Sequence, residues 1–199
     1  MRLIRLIVLL CFSICTMNSF AETIDKQVQQ KLTILGLGDS ITEGGADAPS
    51  YLCPLWAKLF CAEYQVEFIG PKDLNHCIGK LKHAGYSGQN IEYLESIIDS
   101  IYQQYPADIV LIHSGHNHFI EEEPVPGMIV AYKSVLKTLK NINPNVNILV
   151  AQVIKSGKLP KYSYIPELNQ EMVSLVDKLE DPNIILVDQH THFKWEKNT

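Results

Sequence analysis

The sequence has no stretch of about 20 consecutive apolar residues, the length a helix needs to cross a bilayer, and its longest apolar run, Leu6 to Cys15, is well short of that. No spanning helix is expected. It has no Lys/Arg cluster, and 17 basic against 22 acidic side chains leave a formal charge of −5. The electrostatic footprint of a nucleic-acid binder is therefore missing. No Cys-x-x-Cys pair occurs, which argues against a cysteine zinc site. Repeats, linkers and low-complexity tracts are also absent, so 199 residues are read as one domain behind a short leader. Charged residues make up 20% against 46% hydrophobic, which leaves enough apolar surface for a packed core.

Residues 1–21 read as an address. Met1 to Arg5 is a short basic start, Leu6 to Cys15 an apolar core, and Ser19-Phe20-Ala21 a small-x-small cleavage site. Cleavage after Ala21 is expected, leaving residues 22–199 as a secreted or periplasmic domain with no stable membrane anchor. An uncleaved anchor is disfavoured by the short run. A lipoprotein signal at Cys11 or Cys15 is disfavoured because neither follows the required small-residue pair. Losing Arg2 and Arg5 makes the mature chain more acidic still.

Export leaves Cys53, Cys61 and Cys77 where disulfides persist. Cys53 and Cys61 fall eight apart on one predicted helix, about 12 Å at 1.5 Å per residue, beyond the reach of a bridge. Any bridge must include Cys77. The other reading is three small buried thiols.

Five apolar, β-rich runs recur: Leu32 to Leu37, Gln65 to Ile69, Asp108 to His113, Asn147 to Ile154 and Asn183 to Val187. Helical stripes separate them: Leu52, Leu55, Trp56, Leu59 and Phe60; Ile91, Leu94, Ile98, Ile101 and Tyr105; Tyr132, Val135, Leu136, Leu139 and Ile142; Leu168, Met172, Leu175, Val176 and Leu179. Apolar strands alternating with crossover helices predict an α/β fold, a doubly wound three-layer sandwich with about five parallel strands.

In such sheets ligands bind beyond the carboxyl ends of the strands. After the first strand comes Gly36-Leu37-Gly38-Asp39-Ser40-Ile41-Thr42-Glu43, which offers Ser40 as a nucleophile on a tight turn or, equally, as a helix N-cap. Before the second helix comes His83-Ala84-Gly85-Tyr86-Ser87-Gly88-Gln89-Asn90, and after the third strand His113-Ser114-Gly115-His116-Asn117-His118.

In this order the three segments resemble the consensus blocks of the SGNH (GDSL-type) serine hydrolases. The resemblance runs from about Leu32 to the end and implies a flavodoxin-like sheet and a cofactor-free esterase. It makes Ser40 the nucleophile and one oxyanion donor through its N–H. The Gly88 N–H becomes a second donor and the Asn117 carboxamide a third. Three convergent donors suit acyl transfer, because charge develops on the carbonyl oxygen in the tetrahedral transition state. The bland readings are a turn glycine for Gly88 and a loop-bonding side chain for Asn117. His118 departs from the usual Gly-x-Asn-Asp pattern. It is expected to orient the loop, to contact substrate, or to sit satisfied and inert.

The resemblance also implies a base, a histidine three residues after an aspartate beyond the last strand, and here no Asp-x-x-His can be drawn. His190 and His192 follow Asp188 at two and four residues. The chain thus reads as a C-terminally truncated member, with its activity impaired or with His190 or His192 as substitute base. An inactive carbohydrate- or ester-binding module is the first alternative. A binuclear metallophosphoesterase is the second, suggested by Gly38-Asp39 and by His113, His116 and His118 at metal-like spacing. The expected substrate is a small ester, such as an acetyl group on a carbohydrate. Lys155 to Tyr164 is either a loop bordering the cleft or ordinary surface. Glu121-Glu122-Glu123 and Lys137 to Lys140 read as solvated faces.

Overall fold

The computed structural model describes residues 31–45, 49–75, 77, 79–191 and 193. The compact unit begins at Leu32, and the expected leader lies outside the described residues. The elements follow one another as β1 (Leu32–Gly38), α1 (Ser40–Glu43), α2 (Leu52–Cys61), β2 (Val66–Ile69), β3 (Lys72–Asp73), β4 (Lys82–Gly85), α3 (Ile91–Gln104) and β5 (Ile109–His113). A 3₁₀ turn (Ile120–Glu122), α4 (Val125–Ile142), β6 (Asn147–Ala151), α5 (Ile165–Leu179) and β7 (Ile184–Val187) complete the chain.

The strands form one seven-stranded sheet in the order β3-β4-β1-β5-β6-β7, with β2 also on β1. Among the described residues six strands run parallel and β3 alone is antiparallel. All five expected strands form, and β3 and β4 are additions. One edge of β1 is used twice: Leu32 to Leu35 pair with β2, and Leu37 and Gly38 pair with β4. His83-Ala84-Gly85, expected to lie in a loop opening a helix, is therefore strand.

Side chains alternate across the sheet, as a pleated strand requires. Leu35 and Leu37, with Val110, Ile112, Ile148 and Val150, face the larger core built with α3, α4 and α5. Ile34 and Phe68 face a smaller core around Leu52 of α2. Gly36 lies on that second face, where a Cβ would come within 2.8 Å of Leu52 Cδ1, so the absent side chain lets α2 lie close. Of the predicted α2 stripe, Phe60 departs: it is exposed and stacks on Trp56 at 5.3 Å between ring centroids. Beside α2 the same face is open among the described residues. A cleft of about 580 Å³ is lined there by Leu55, Leu111, Leu149, Ala151, Val187 and Phe193, among others.

A disulfide joins Cys53 on α2 to Cys77, with Cα atoms 5.7 Å apart, and Cys61 is free and exposed. The reading of three buried thiols is thereby corrected. The lysine run on α4 is not purely solvated either, since Lys140 reaches Asp181 at 3.0 Å.

Candidate active site

Gly38 of β1 pairs with Gly85 of β4 on one side and with His113 of β5 on the other. Three parallel strands thus end on a single row, and at about 4.8 Å per strand the segments that leave it start within roughly 10 Å of one another. These are the three segments that the sequence singles out. Glycine is required along the row, because a Cβ on Gly38 would strike the His113 carbonyl and Thr42, and one on Gly85 would strike the backbone of Glu43.

Beyond the row, Asp39 is the N-cap of α1: its buried carboxylate accepts from the Ile41 N–H at 2.9 Å. This corrects the N-cap reading of Ser40, which is the first helical residue, exposed at the surface. Gly88 has φ +77°, where side chains are strained, and a Cβ there would meet open space. Its N–H makes no hydrogen bond within the described residues. Asn117 is also left-handed, at φ +73°, a conformation that asparagine tolerates better than most residues. Its Nδ2 donates to the Gln89 carbonyl at 2.8 Å, which engages one of its two amide hydrogens. The segments of Gly88 and Asn117 are therefore in direct contact, and both rise from the strands that flank Ser40.

Side chains that the motifs did not mark hold this arrangement. Glu43 pairs with Lys72 and accepts from the Ser87 N–H at 2.6 Å, and Lys72 also donates to the Gly85 carbonyl at 3.0 Å. Burial pushes the Glu43 carboxyl up, but these hydrogen bonds outweigh it and hold the group below its ordinary range. His118 lies between Glu122, at 2.6 Å from Nδ1, and Glu92, at 2.9 Å from Nε2. Both ring nitrogens thus have carboxylate partners, an arrangement that can orient the loop, and Glu122 is not a merely solvated charge. His118–Glu122 is a local i,i+4 pair, whereas Glu43–Lys72 and His118–Glu92 join segments far apart in sequence, which no spacing announces.

Of the three histidines with metal-like spacing, His113 and His116 are neighbours, while His118 sits between its two carboxylates. His113 is buried between Tyr51 and His116, at 6.4 and 6.3 Å between ring centroids. Burial pulls its pKa down to about 4. His116 packs edge-on against Tyr162 at 5.1 Å, with Nδ1 3.8 Å from Asp39 Oδ2. Among the described residues no group of three His, Cys, Asp or Glu side chains is placed to hold a metal ion.

The loop Lys155 to Tyr164 does reach the site. Tyr162 touches His116, the Tyr164 hydroxyl donates to the Gly115 carbonyl at 3.0 Å, and Lys161 Nζ sits 4.1 Å over the exposed Phe119 ring. His190 Nδ1 lies 3.0 Å from the Val153 carbonyl, beyond β6. A carbonyl only accepts, so Nδ1 carries a proton, and in the neutral ring the lone pair is then on Nε2. His192 lies outside the described residues.

Residues 37–199 match the GDSL-like lipase/acylhydrolase family. The chain belongs to that family. Solved structures share its fold. A carbohydrate esterase family 3 protein from Talaromyces cellulolyticus superposes with a TM-score of 0.70 at 22% identity, over 80% of this chain and 79% of that one. A family 3 carbohydrate esterase from Clostridium thermocellum gives 0.70 at 22%, over 85% and 83%. An acetyl xylan esterase gives 0.60 at 18%, over 79% and 77%. Comparison with curated protein sequences gives no match. At these identities the structural likeness establishes the shared fold, and the family match establishes the kinship.

Proposed function

We propose that the chain is a serine acyl-hydrolase acting on small carboxylic esters, with an acetyl group on a carbohydrate as the substrate class. Ser40 Oγ attacks the ester carbonyl, and the oxyanion that forms is received by the Ser40 N–H, the Gly88 N–H and the Asn117 carboxamide. Collapse expels the alcohol and leaves an acyl-serine that water then cleaves. The observation that carries this reading is the row Gly85-Gly38-His113, from which all three segments depart. Carbohydrate is favoured by the exposed Phe119 with Lys161 over its ring, an apolar and cationic rim suited to a sugar face, and by the carbohydrate esterases among the structural neighbours.

The base is the open part of the site, since no described histidine is hydrogen-bonded to Ser40. In its neutral form His190 presents the tautomer a base requires, but from the segment that follows β7, three strands away from β1. A second reading, a module that binds acylated carbohydrate without turning it over, is in keeping with a Ser40 that no described histidine touches. Turnover of p-nitrophenyl acetate by the wild type and by Ser40→Ala, His190→Ala and His192→Ala separates the two. The esterase reading expects Ser40→Ala to abolish turnover and one histidine variant to lower it by about 10²-fold or more. Turnover indifferent to Ser40→Ala removes the nucleophile. Binding of acetylated xylo-oligosaccharide with no hydrolysis establishes the binding module.

We also propose export with cleavage after Ala21. The basic, apolar and small-residue order of the leader supports it, and the Cys53–Cys77 bridge suits an oxidising compartment. N-terminal sequencing of the exported protein is expected to begin at Glu22.

A further inference from the structure

His118 touches two carboxylates, each carried by a different element. Its Nδ1 lies 2.6 Å from Glu122 Oε2 in the 3₁₀ turn, and its Nε2 lies 2.9 Å from Glu92 Oε2 in the first turn of α3. An ionised carboxylate only accepts, so both contacts are hydrogen bonds only when both ring nitrogens carry protons. The contact geometry is that of an imidazolium. Its neighbours in sequence make a second rung between the same two segments, Asn117 Nδ2 on the Gln89 carbonyl at 2.8 Å. The rungs pair 117 with 89 and 118 with 92, and Gly88 adjoins the first of them.

We propose that His118, in its charged form, is the positioning residue that fixes the two outer oxyanion donors, the Gly88 N–H and the Asn117 carboxamide, relative to each other, and that this staple opens as the ring loses its proton. The inference rests on the proposed esterase reading for its catalytic consequence, though not for its structural part. Loss of the proton leaves one ring nitrogen as a lone pair facing a carboxylate, which is repulsive, so one rung parts. The donors then hang on the single Asn117 to Gln89 bond. Asn117 sits in a left-handed conformation that the surrounding contacts must hold. The groups bearing on the ring are few. Glu92 and Glu122 raise its pKa and outweigh the lowering by burial, Lys161 acts on Glu122, and Tyr164 reaches the adjoining backbone.

The test uses the full exported chain. In an NMR titration the His118 ring is expected to change protonation above the ordinary 6.5 of a histidine. The Gly88 amide and the Asn117 side-chain amide signals are expected to shift with the same midpoint. In His118→Gln those two signals should no longer follow it, and in Glu92→Gln the midpoint should fall. Turnover of p-nitrophenyl acetate should decline through that midpoint as pH rises, in kcat with KM little changed. His118→Gln should lower kcat about tenfold at low pH and lose the alkaline decline, the ceiling being the roughly 10²- to 10³-fold cost of losing a donor outright. A ring that titrates at or below 6.5, or donor signals that ignore it, overturns the staple. If the signals titrate together while the chain hydrolyses no ester at any pH, the staple stands and the esterase reading falls.

Discussion

Asn117 combines two demands that can be separated by substitution. Its backbone is left-handed and its carboxamide is the candidate donor, so Asn117→Gly keeps the first and removes the second. Turnover in that variant is expected to fall roughly 10²- to 10³-fold with thermal stability nearly unchanged. His113 supplies a different expectation. Its folded pKa of about 4 lies below the ordinary 6.5 because the ring is buried, so between those values the unfolded chain binds a proton that the folded chain refuses. Stability must therefore rise with pH across that window, by about 3 kcal/mol in all. Urea unfolding from pH 4 to 7 should show this slope in the wild type and lose one proton's worth of it in His113→Gln. Ser40, Gly88 and Asn117 stood out as candidates because each sits in a short local motif. Glu43, Lys72 and Glu92 did not, since their partners lie far along the chain, and Glu122, though only four residues from His118, reads as a solvated charge within an acidic run. His118 was singled out, with loop orientation as one of its readings, but its carboxylate partners Glu92 and Glu122 were not.

Among the elements, the five long strands were legible because buried parallel strands are nearly continuous apolar runs. β4 escaped because only Ala84 and Gly85 pair with β1, preceded by Lys82 and His83, and two residues carry no periodicity. β3 is a two-residue, charged edge strand, Lys72–Asp73. The segment between β2 and β4 is instead held by the Cys53–Cys77 bridge to α2, 24 residues apart in sequence. Spacing excluded Cys53–Cys61 and left only bridges that include Cys77 open. Closing a loop of that length stabilises a fold by about 3 kcal/mol in the chain-entropy account. Cys77→Ser should lower stability by about that amount in oxidising buffer, and Cys61→Ser by almost nothing, as denaturant midpoints will show.

Over the whole molecule the two faces of the sheet are unequally dressed. Three helices, α3, α4 and α5, cover one face, whereas α2 covers only part of the other among the described residues, leaving apolar side chains of β5, β6 and β7 along an open cleft. Exposed apolar area of this kind binds hydrophobic dyes. Native protein is expected to enhance anilinonaphthalene sulfonate fluorescence without denaturant, and Leu149→Glu should diminish it. Doubly wound architecture followed from the alternation of strands and helices, but uneven coverage could not, because a sequence pattern marks which residues are apolar and not what lies over them.

The row on which β4, β1 and β5 end together has a consequence for refolding. Gly38 meets Gly85 and His113 across long separations in the chain, and such distant pairings form late because loop closure must precede them. On the proposed esterase reading, helical signal should therefore return before turnover does, and regained turnover would serve as a clock for the closing of the sheet.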